Sequence, residues 1–182
     1  SMIVGAQPQE TAGPLVVSWS SLERRKAEFE ELVKKKIPEN VKEIQVARSY
    51  GDLSENFEYK AAKQMQAVLS RRRSELEREL ARARGTSFEN PDTSRVSIGT
   101  IVTVRDKNSK KQETYTILGA WDGDPDRHVI SYQTAIGQAL LGKNADETAT
   151  LPNGDVEVVS IEPAPIDKPA AETVSEAEPA SV

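Results

Sequence analysis

The chain has no cysteine, which excludes disulfides and thiolate metal sites. Its single histidine, His128, cannot anchor a transition-metal centre without a second nitrogen or sulfur ligand, and it reads as a strand-edge residue. Aromatics are only 5% of the 182 residues and mean hydropathy is −0.56, which suits a protein with an extended, surface-rich part. No apolar run approaches the roughly 20 residues of a membrane-spanning helix. The N-terminus lacks the basic-then-apolar order of a secretory leader, so no membrane partner and a cytoplasmic location are expected. There is no nucleophile-elbow motif, and Gly119 and Gly123 do not form a phosphate-cradling loop. A free-standing enzyme is therefore not expected.

Glycine is almost missing from the first half. Gly51 is the only one between Gly13 and Gly85, and helix-patterned segments lie on either side of it. Ser20 with Glu23 three residues on predicts a capping box at the first helix start. Leu22, Phe29, Leu32, Val33, Val41 and Ile44 predict one apolar face, with a kink at Pro38 after which the face resumes in register at Val41. After Gly51, a second stripe of Phe57, Ala61, Met65, Val68, Leu76, Leu80 and Ala83 runs to a stop at Gly85. Two such segments predict an antiparallel helical hairpin, a rod roughly 45 Å long.

Charge is unevenly spread along the chain. The net charge is −5, yet residues 60–84 carry two lysines and six arginines against three glutamates, a net +5. Such a run serves either as a face laced with salt bridges or as a track for a phosphate backbone or an acidic protein wall. At the bend, Asp52 and Glu55 stand three apart. As a capping box they would serve a helix start; as an exposed pair they could lend ligands to a Mg²⁺ held mainly elsewhere.

From Val96 the apolar period changes to two. Strands are expected at residues 101–104, 114–118, 129–132, 147–151 and 156–161, with a short helix at 136–141. Asp122, Asp124 and Asp126 imitate the start of a calcium loop. Arg127 and Gln133 stand where that loop needs glycine and glutamate, so the segment reads as an acidic loop. The expected organisation is a flexible N-terminus (1–17), a hairpin domain (18–84), a linker (85–95), a small α+β domain (96–163) and a disordered acidic tail (164–182).

The stretch A-R-S-Y-G-D-L-S-E-N-F-E-Y at 47–59, followed by K-A-A-K, closely resembles the signature of the GreA/GreB family of bacterial transcript-cleavage factors. Pro38 matches a proline of the family's first arm. V-S-I-G-T-I-V-T-V, then Q-A-L-L-G-K and P-N-G, resemble its second domain, so that the likeness spans residues 18–163. It implies an α+β protein with an N-terminal coiled-coil hairpin and an FKBP-like domain. It implies a partner, bacterial RNA polymerase, whose secondary channel the hairpin enters, and contact with the nascent RNA 3′ end. Asp52 and Glu55 would assist a Mg²⁺ shared with the polymerase, no cofactor being tightly bound, and the cleavage so stimulated would belong to the polymerase. Ser54, Asn56, Glu58, Tyr59 and Arg48 would support the tip, and Lys60, Lys63, Arg71 and Arg72 would contact RNA or the channel. Gln133, Thr134 and Ala135 would dock on the polymerase. The family usually has Ser-Pro at Thr134-Ala135, and losing the proline is expected to loosen that turn. A monomer is expected. The alternative is a regulator of the same fold that occupies the channel and inhibits without cleavage; a free-standing FKBP-type isomerase is disfavoured by too few aromatics beyond Val96.

Overall fold

The structure, a computed structural model, describes residues 13–166. Strand β1 (Leu15–Ser18) leads directly into helix α1 (Trp19–Glu31). Ser18 still has extended backbone angles, and its hydroxyl accepts from Ser21 N–H at 3.1 Å. The cap is thus two residues earlier than the box expected at Ser20 and Glu23, because the chain turns into the helix straight from a strand. A π-helical turn, Leu32–Lys36, joins α1 to α2 (Ile37–Arg48). Pro38 has no N–H to donate and its ring crowds the carbonyl a turn back; the wider turn before it relieves both.

That turn also resets the phase of the helix. Half-buried and buried positions run Leu22, Arg25, Phe29, then Leu32 and Val33 side by side, then Ile37, Asn40, Ile44 and Ala47. The π turn supplies the extra residue. Val41, expected on the seam, is consequently 43% exposed. The distal half of helix α3 (Phe57–Arg82) departs from expectation in the same way. Its inward positions are Tyr59, Ala62, Gln66 and Leu69, while the predicted stripe of Phe57, Ala61, Met65 and Val68 faces outward. Leu76 is fully buried, and Leu80 and Ala83 lie inward as expected.

Helix α3 ends at Arg82 rather than at Gly85 and passes into strand β2 (Ala83–Thr86), which pairs in parallel with β1. Residues 15–17 are therefore a strand at the base of the hairpin, where a flexible lead-in was expected. Residues 1–12 of that segment, and 167–182 of the expected acidic tail, lie outside the described residues. Ala164 is buried and its N–H donates to Gly99 O at 2.8 Å. The expected linker is anchored at one point and carries a local turn. Phe88 is buried against Gly99, and Asp92 accepts from Ser94 N–H at 3.0 Å and from Arg95 Nε at 3.1 Å.

The second domain is a five-stranded sheet of β3 (Thr100–Asp106), β4 (Gln112–Leu118), β5 (Val129–Ser131), β6 (Thr148–Leu151) and β7 (Gly154–Pro163), in the order β5-β4-β3-β7-β6. Only the β4–β5 pair is parallel. Helix α4 (Ala135–Leu140) closes one face over a core that includes the fully buried Val102, Ile117, Leu140 and Val158. His128 takes a left-handed conformation (φ 54°) and caps the short 3₁₀ turn before β5, next to the strand edge expected for it.

The acidic loop after β4 has a definite task. Asp122 reaches the hairpin base, where one carboxylate oxygen accepts from Ser18 N–H (3.0 Å) and Gly119 N–H (2.9 Å). The other oxygen accepts from the hydroxyls of Ser18 and Ser21. Ala120 N–H donates to Val16 O at 2.7 Å, and Arg25 lies 4.5 Å over the Trp121 ring. Gly119 permits this approach, because a Cβ there would sit 2.6 Å from the Val16 carbonyl oxygen. Leu15, Val17, Leu22 and Ala83 pack under Ala120 and Trp121. The hairpin is therefore seated on its neighbour by a polar clamp around an apolar patch.

Candidate functional site

The distal end of the rod is built from backbone turns. Ser49, Tyr50 and Gly51 N–H groups donate to Val46, Ala47 and Arg48 carbonyls at 3.0, 3.2 and 3.4 Å, tightening the last turn of α2. Gly51 follows at φ +104°, a conformation that side-chain-bearing residues rarely adopt, and it turns the chain out of the helix. Residues 52–55 form an exposed loop, and Asn56 opens α3. Its Oδ1 accepts from Tyr59 N–H at 3.0 Å, while its Nδ2 donates to Ala47 O at 2.6 Å on the other arm.

The capping box considered for Asp52 and Glu55 is thus not formed, since the helix begins four residues later and Asn56 serves it. Asp52 instead makes a local turn, its Oδ1 accepting from Ser54 N–H (3.0 Å) and Ser54 Oγ (2.9 Å). These bonds, the backbone one first, hold its carboxyl below the usual range for aspartate, so it stays ionised. They leave Oδ2 without a partner among the described residues. Glu55 is exposed and makes no hydrogen bond among the described residues. No group of three or more candidate ligands that could hold a metal alone occurs among the described residues. A pair of exposed carboxylates, one with a free oxygen, suits a share in a Mg²⁺ otherwise bound by phosphate and water, the usual way that ion is held.

The supporting residues divide. Ser54 and Asn56 are in place; Tyr59 is half-buried with the Arg48 guanidinium 5.8 Å over its ring; Glu58 is exposed on the first turn of α3. The basic residues divide too. Arg72 is drawn across the seam to Glu28 (2.7 Å) and also meets Glu75 at 3.3 Å. Lys63 donates to Gln66 at 2.7 Å, and Lys60 sits 5.8 Å over Phe57. Arg71 is exposed with no partner among the described residues. Beside the tip, Val46, Tyr50, Ala61 and Met65 line an open apolar groove of about 610 Å³ between the two arms.

The corner at Gln133, Thr134 and Ala135 is ordered by its own hydrogen bonds. Thr134 caps α4, accepting from Gly137 N–H at 3.1 Å and donating to Ser131 O at 2.8 Å, and Gln138 Nε2 donates to Tyr132 O at 2.7 Å. A threonine cap thus holds the turn at which the family's usual proline is missing. Two residues escaped the sequence reading: Asp122, whose hairpin partners stand about a hundred positions away, and Asn40, a lone polar residue on the buried seam.

The family descriptions "Transcription elongation factor, N-terminal" and "Transcription elongation factor, GreA/GreB, C-term" match residues 15–84 and 90–163. The chain belongs to the GreA/GreB family. Among its relatives, transcription elongation factor GreA of Treponema pallidum is 39% identical over 145 residues, covering 80% of this chain and 90% of that one. GreA of Streptococcus sanguinis is 39% identical over 144 residues, covering 77% and 90%. A solved structure of GreA factor homolog 1 from Thermus thermophilus aligns over 82% of this chain and 99% of its own at 23% identity. Its TM-score of 0.38 is too low to add to the assignment. The family membership covers both the hairpin with its Asp52–Glu55 tip and the sheet domain clamped to its base.

Proposed function

We propose that this factor binds RNA polymerase, passes its hairpin through the secondary channel and brings Asp52 and Glu55 to the catalytic centre, where they stimulate cleavage of backtracked RNA. The observation that carries the reading is the state of the tip: Asp52 is ionised, preset by Ser54 and left with one free oxygen, beside an exposed Glu55. A divalent cation shared with the polymerase would supply charge neutralisation and an activated water there. The chain's own part is to present two hard oxygen ligands, Asp52 preset by Ser54 and Glu55 exposed beside it. Lys60 and Arg71, free of carboxylate partners among the described residues, are the basic groups best able to meet the extruded RNA or the channel wall. Arg72 is already committed to Glu28 and serves the rod instead. The sheet domain, with its ordered Gln133–Ala135 corner, would dock outside the channel. A cytoplasmic monomer acting on polymerase follows from this reading.

The test is RNA cleavage in a stalled, backtracked elongation complex. Stimulation by the wild-type chain supports the proposal. Channel binding without stimulation would support the inhibitor reading instead.

A further inference from the structure

We propose that Asn40 is a positioning residue for the tip: it fixes the axial register of the two arms and thereby the place of Asp52 and Glu55. This rests on the cleavage reading above. Asn40 is 3% exposed, on a seam otherwise filled by Ile37, Ile44 and Ala47. Its Nδ2 donates to Ala62 O on the opposite arm at 2.9 Å. A carbonyl can only accept, so the amide orientation follows from the partner. The same oxygen has a second lone pair, which keeps Ala62 in its helical ladder.

A bolt in the reverse direction stands nearer the bend. There Asn56, at the start of α3, donates to Ala47 O at the end of α2. Between the two bolts the seam holds the buried Ile44, Ala47 and Ala62 and the half-buried Tyr59. Apolar burial alone is non-directional and tolerates small slides. A buried amide does not tolerate a slip by a fraction of a turn, which carries it off the Ala62 carbonyl and leaves it without an acceptor. A slip by a full turn, roughly 5.4 Å, would also pull Asn56 off Ala47 O. A polar seam residue of this kind specifies register at some cost in stability. The π turn places it there, for without the extra residue of Leu32–Lys36 Asn40 would leave the seam.

The test compares wild type with Asn40→Leu and, should that variant not fold, Asn40→Ala. Because the chain has no cysteine, spin labels can be placed uniquely at Gln45→Cys and Gln64→Cys, both exposed. Wild type should give one narrow inter-label distance. The variants should give a broadened or displaced distribution, with a saturating cleavage rate lower by about tenfold and an unchanged half-saturating factor concentration. An unchanged distance and saturating rate would overturn the proposal, even if the unfolding temperature fell, since Asn40 would then only stabilise the rod. If wild type does not stimulate cleavage, the function reading fails while the distance measurement still decides the register.

Discussion

Two aspartates at opposite ends of the hairpin use the same chemistry to different ends. Asp122 at the base and Asp52 at the tip each accept from a serine N–H and that serine's hydroxyl. At the base all four bonds are made and both oxygens are spent, on groups from two domains. At the tip only one oxygen is spent, on a neighbour two residues away. The first carboxylate is a fastening, and the second keeps an oxygen open to solvent. Charge alone would rank them equally; the count of lone pairs left over separates them.

The comparison is broken most severely at the base. Asp122→Ala should destabilise the protein by about 1–3 kcal/mol, because it leaves Ser18 and Gly119 N–H groups without their acceptor. Calorimetry of the full chain checks this, and an Asp52→Ala variant in parallel should unfold at nearly the wild-type temperature. Gly119→Ala attacks the same clamp by crowding, with a new Cβ 2.6 Å from Val16 O and 2.7 Å from Val17 Cα, and should cost about 1–3 kcal/mol. A smaller effect is expected at the tip. Asp52 binds its proton more weakly folded than unfolded, so its contribution to stability is present above the unfolded value and is lost as pH falls through the folded one. Ser54→Ala removes the hydroxyl bond and should move the Asp52 titration upward, towards ordinary aspartate, as read by carboxyl NMR. The smallest effect belongs to the outward face: Met65→Ser with Val68→Ser should change stability by less than about 0.5 kcal/mol by chemical denaturation, since neither side chain is buried.

That last prediction marks where the sequence misled. The hairpin, its bend and the strands of the second domain were legible, because periodicities of 3.6 and two are local. The phase of the seam was not. One π turn shifts every later residue of the first arm, so Val41 turns out and Asn40 turns in. On α3 the most regular apolar stripe near the tip is the exposed one, while Ala62 and Gln66 face the partner arm. Strands β1 and β2 were illegible for another reason: each has four residues, and Leu15 pairs with Ala83 across the whole hairpin. Asp122 reads in the sequence only as part of an acidic loop, because nothing within ten residues announces Ser18 or Ser21. At the tip the motif singled out two carboxylates that the structure leaves exposed, and the spacing suggested a helix cap that Asn56 provides instead.

The most direct measurement is cleavage of backtracked RNA with Mg²⁺, comparing the wild-type chain with Asp52→Asn plus Glu55→Gln, both verified as folded by circular dichroism. The account predicts stimulation by wild type and a loss on the order of a hundredfold or more in the double variant, with polymerase binding retained. Equal stimulation by the two proteins would contradict it, and would reduce Asp52 to a turn-forming residue.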